Sequence, residues 1–194
     1  VMLTQWLTQA GLAVDRLVPA AALELAHAVA AVTQAPQCTG VVWIGDHGSV
    51  LAIGDRQRLR FVWALGPGVE SFVEALLRSG RTCLPDGRTI NLDRVGARDA
   101  LAQFGALLAA AGGGPVAGAS DAPSLLTLLT PVLQRLGAEI KQSVRFGLSE
   151  SERPGLVIDV VGPGLGLRNI ARALAQQSGA SVQGESEGGS EPSS

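Results

Sequence analysis

Lysine is almost missing from this 194-residue chain: Lys141 is the only one, and the other basic residues are arginines scattered along the sequence. With a formal net charge of −2, the chain lacks the clustered basic side chains that neutralising nucleic-acid phosphates requires, so no nucleic-acid partner is expected. Cysteine is equally scarce. Cys38 and Cys83 show no CxxC or metal-ligand spacing, which argues against a disulfide framework or zinc site and predicts reduced thiols in a cytoplasmic setting. Long apolar runs are missing too. The stretch Val18 to Val32 is alanine-rich but interrupted by Glu24 and His27, so it reads as a buried helix and no direct membrane span is expected. No basic region precedes an apolar one at the N-terminus, so no signal peptide is read. The immediate entry from Val1-Met2-Leu3 into a helical pattern predicts a chain that starts inside a larger protein.

What is present is ordinary globular material, 46% hydrophobic and 16% charged. That length supports one sizeable domain, or one domain with a subdomain. Two glycine turns stand out. Trp43-Ile44-Gly45-Asp46-His47-Gly48-Ser49 separates the strand-like runs Gly40–Ile44 and Ser49–Ile53. Gly162-Pro163-Gly164-Leu165-Gly166 separates the strand-like run Leu156–Val161 from a helical pattern over Leu167–Gln177. Glycine turns at strand ends let backbone N–H groups approach phosphates. Pro163 removes one such donor from the second turn, and its spacing does not meet G-x-G-x-x-G.

The remaining pattern gives helices over Met2–Ala10 and from Pro19 to about Val32, and a short strand over Leu12–Val18. Leu59–Leu65 is a third strand after the turn Gly54–Arg58. Val69–Arg78 is a helix with Phe72, Val73, Leu76 and Leu77 inward. Pro85-Asp86-Gly87 is a hairpin tip, and Leu92–Ala111 a helix. Asp121 is the expected cap of a helix that Pro131 should kink or restart. That helix carries an apolar stripe of Leu129, Val132, Leu133, Leu136, Ile140 and Val144. Ala180–Val182 is a final strand, and from Gly184 the composition turns to Gly, Ser and Glu, a linker or tail. Three antiparallel strands, a helix, an insertion, a long helix, then strand–helix–strand is the βββαβαβ order of one lobe of the actin/Hsp70-like ATPases. The fold class is therefore α/β, a mixed sheet with flanking helices. The expected division is entry helices over 1–34, the lobe over 35–183 with an inserted subdomain at about 81–118, and a tail over 184–194.

Four segments in this order resemble the PilM family, the actin-like cytoplasmic proteins of type IV pilus assembly, related to FtsA and to the cytoplasmic domain of GspL. They are Ala10–Pro19, which enters the second lobe, and Gln57–Gly68, a hairpin exit. The others are the helix Leu136–Phe146 and the strand-to-helix turn Ile158–Ile170. The resemblance covers roughly Gln9 to Val182 and represents the second lobe only. It implies a nucleotide-binding ancestry in which Gly45, Asp46, Gly48, Ser49, Gly162 and Gly164 are the degenerate binding residues. It also places Trp43 where the family carries an aspartate that helps hold metal and phosphates, with Ser49 at the usual threonine.

An indole cannot ligate a hard cation, which wants oxygen. No catalytic or metal-binding residue is therefore assigned, and no cofactor is expected, ATP and Mg being disfavoured. Asp46-His47-Gly48 reads as an ordinary tight turn rather than a displaced phosphate loop. His27 and His47 read as a packed and a solvated histidine, Asp159 as a strand residue needing a partner, and Glu139 and Lys141 as a solvated face. Trp6, Trp43 and Trp63 read as core or interface aromatics. The expected function is a scaffold of a type IV pilus or type II secretion inner-membrane platform. Its partners would be other assembly proteins, self-association being compatible with that role. Against it stand an ATP-binding lobe of a genuine actin/sugar-kinase superfamily enzyme and a standalone interaction module.

Overall fold

The computed structural model describes residues 2–11, 13, 20–31, 38–55, 58–84, 87–104, 122–162, 170–178 and 181–184. Strands β1 (Thr39–Ile44), β2 (Ser49–Gly54) and β3 (Leu59–Leu65) form an antiparallel meander. Strands β6 (Val157–Val161) and β7 (Ser181–Gly184) then join β1 in parallel, giving one five-stranded mixed sheet of order β3-β2-β1-β6-β7. Ahead of it lie α1 (Met2–Gln9) and α2 (Ala20–Ala31). Helix α3 (Val69–Ser79) follows β3, and α5 (Leu125–Gly147) precedes β6. Helix α6 (Ile170–Ser178) connects β6 to β7. This is the expected βββαβαβ lobe. Between α3 and α5 sit the two-stranded pair β4 (Arg81–Cys83) and β5 (Thr89–Asn91) and helix α4 (Arg94–Phe104).

The residue pattern explains the layering. In β1, Val42 and Ile44 point to one face of the sheet, where α3, α5 and α6 deliver Phe72, Leu76, Leu129, Leu136, Ile140 and Leu174. Val41 points to the other face, where α2 brings Ala21 and Leu25. Strands β1 and β2 are covered on both sides and are buried almost without alternation, as in buried sheets.

Several local expectations need correcting. The cap of α5 is Ser124, whose Oγ accepts from the Thr127 N–H at 3.3 Å, whereas Asp121 lies outside the described residues. Pro131 does not restart α5, which runs unbroken from Leu125 to Gly147. The carbonyl it leaves without a donor belongs to Thr127, and both residues lie on the exposed face. The buried stripe Leu125, Leu129, Leu133, Leu136 and Ile140 holds the helix on both sides of it. Helix α4 begins at Arg94, two residues later than Leu92. There Asp93 terminates the preceding chain by accepting the Gly96 N–H at 2.7 Å. Its expected end at Ala111, the strand over Leu12–Val18 apart from Ala13, and the tail beyond Gly184 lie outside the described residues. Gly184 itself closes β7.

Candidate functional site

The first glycine turn is built inward. The Gly45 N–H donates to the Gly48 carbonyl at 3.0 Å, closing the turn. The first two N–H groups of α3, those of Val69 and Glu70, donate to the carbonyls of Gly45 (2.9 Å) and Asp46 (2.8 Å). A helix N-terminus normally offers such donors to anions; here backbone takes both. The approach is close enough to require glycine at Gly68, where a Cβ would lie 2.4 Å from the Gly48 nitrogen and 2.6 Å from the Gly45 oxygen. Ser49 is buried, and its hydroxyl donates to the Pro67 carbonyl at 2.5 Å. Asp46 and His47 stay exposed at the tip.

Trp43 connects this turn to the second. It lies two residues before Gly45 on the same strand face and pairs in register with Val161. A Cβ on Gly45 would fall 2.3 Å from Cζ3 and 2.7 Å from Cη2, the benzo end of the indole. A Cβ on Gly162 would fall 2.9 Å from Nε1 and 3.0 Å from Cδ1, the pyrrole end. The half-buried ring therefore lies lengthwise between the two turns. Gly162 also has φ +94°, a backbone conformation suited to glycine. Gly164 and Pro163 lie outside the described residues.

Charge gathers beside the first turn. Glu70, in the first turn of α3, bonds through its two carboxylate oxygens to Arg94 and Arg98 of α4. The bond from Arg98, with the nearby Arg94 charge, holds its carboxyl below the usual carboxylate range despite burial, which acts the other way. Glu70 thus reaches the turn with its backbone and the inserted α4 with its side chain. At the end of β3, Glu139 of α5 accepts the Gly66 N–H at 2.7 Å and is paired with Arg135 at 3.0 Å. Glu139 is therefore half-buried and structurally engaged, not part of a solvated face, while Lys141 is exposed as expected.

One further expectation fails. His27 is exposed rather than packed, 3.9 Å from Glu24. Of the three tryptophans read as core or interface aromatics, Trp6 and Trp63 are exposed and Trp43 packs against buried residues. Asp159 is half-buried and engaged, as its strand position demanded. Cys38 and Cys83 are free thiols. Among the described residues, no cluster of three or more His, Cys, Asp or Glu side chains could hold a metal ion, and no helix is long and apolar enough to cross a membrane. Sequence reading missed Glu70, Arg94 and Arg98. The available signal was an acid at the start of a helix after Gly-Pro-Gly and two arginines four residues apart on a later helix.

No protein-family profile matches the chain. No curated protein matches it either. Solved structures do match in fold. A chain of a PilM–PilN type IV pilus biogenesis complex superposes with a TM-score of 0.59 at 22% identity, over 94% of this chain and 46% of that one. The ethanolamine utilization protein EutJ from Carboxydothermus hydrogenoformans gives 0.62 at 15% identity, over 93% and 54%. MreB5 of Spiroplasma citri, bound to AMPPNP, gives 0.68 at 15% identity, over 94% and 58%. These likenesses establish an actin-like ATPase fold, and the chain spans about half the length of each structure it matches.

Proposed function

We propose that this chain is the second lobe of a PilM-like protein that serves as a cytoplasmic scaffold at the inner membrane, in pilus assembly or type II secretion, without hydrolysing ATP. The observation that carries the reading is the indole of Trp43 lying between Gly45 and Gly162. By the resemblance, that position belongs to an aspartate handling metal and phosphates. The ring supplies no oxygen ligand and stands against both glycines. The same reading accounts for Ser49 and the α3 N–H groups, whose hydrogen-bonding capacity is spent on the Pro67, Gly45 and Asp46 carbonyls. With its motifs turned to structural use, the lobe offers partner proteins a rigid sheet-and-helix body. The PilM–PilN likeness supports pilus inner-membrane proteins as those partners.

A competing reading draws on the likeness to nucleotide-bound MreB5: an ATP-binding lobe whose counterpart lobe lies elsewhere in a longer protein. Titration calorimetry with Mg-ATP on the full-length protein separates the two. The scaffold reading expects no binding heat and no phosphate release, and capture of a pilus or secretion inner-membrane protein. Turnover that is lost on changing Gly162 would overturn it.

A further inference from the structure

We draw no further inference here: the strongest candidate, the β3 edge of the sheet with its exposed Leu59, Val62 and Trp63, carries nothing, because nothing in the structure shows what covers it.

Discussion

The benzo end of Trp43 occupies the space where Gly45 would carry a side chain, the nearest ring carbon lying 2.3 Å from an ideal Cβ at that glycine. Its pyrrole end stands in the same relation to Gly162, at 2.9 Å. One residue therefore imposes glycine on two turns far apart in sequence. That coupling is measurable.

Alanine at Gly45 should destabilise the chain. Restricting the unfolded backbone would add only about 0.4–1 kcal/mol of stability, while forcing a methyl into the indole costs about 1–3 kcal/mol. Gly162→Ala should cost at least as much, since its φ of +94° adds backbone strain to the contact. The check is a double-mutant cycle in urea: the Gly45→Ala penalty should shrink when Trp43 is first cut to alanine. Equal penalties in both backgrounds would show that the ring does not impose the glycine.

Glu70 should give acid stability a specific shape. Its folded-state carboxyl titrates below the ordinary value, chiefly through the bond from Arg98. Its stabilising contribution is therefore complete above the unfolded pKa and fades as pH falls through the lower folded value. Glu70→Gln should flatten that part of the stability profile on the acid side of about pH 4.5 and leave the slope at neutral pH unchanged. Denaturation midpoints across an acid series would read this directly.

Pro131 offers a gain. It sits on the exposed face of an unbroken helix, where proline lacks the N–H for one ladder bond. Pro131→Ala should raise stability by about 1–3 kcal/mol, seen as a higher melting temperature. A fall would mean that the proline's restriction of the unfolded chain outweighs the missing bond.

The fold was legible where burial dominates. Val41-Val42 and Val50-Leu51-Ala52-Ile53 could be read as strands because they are covered on both faces. The stripe on α5 could be read because its leucines recur at helical spacing. Features set by distant partners were not legible. Glu139 resembled any exposed helical acid until β3 brought the Gly66 N–H to it. His27 looked packed in an alanine-rich helix, but the narrow buried stripe of Ala21 and Leu25 leaves it outside. The cap was read at Asp121, whereas the helix starts at Leu125 and its cap is Ser124. At the candidate site, the glycines and the tryptophan at position 43 were visible in advance. That the indole touches both turns was not, because it depends on β1 and β6 lying side by side.

Glu70 adds a polar link between the hairpin loop and the inserted helix, which also packs against α3 through Ala97, Ala100 and Leu101. Its amide is anchored on the hairpin loop and its carboxylate on the inserted helix. A tug on that helix from an outside protein would arrive at the loop as torque on the first turn of α3, with the guanidinium pair as the handle. Cutting the handle, rather than the loop itself, would weaken that link while leaving the apolar packing of α4 on α3 in place.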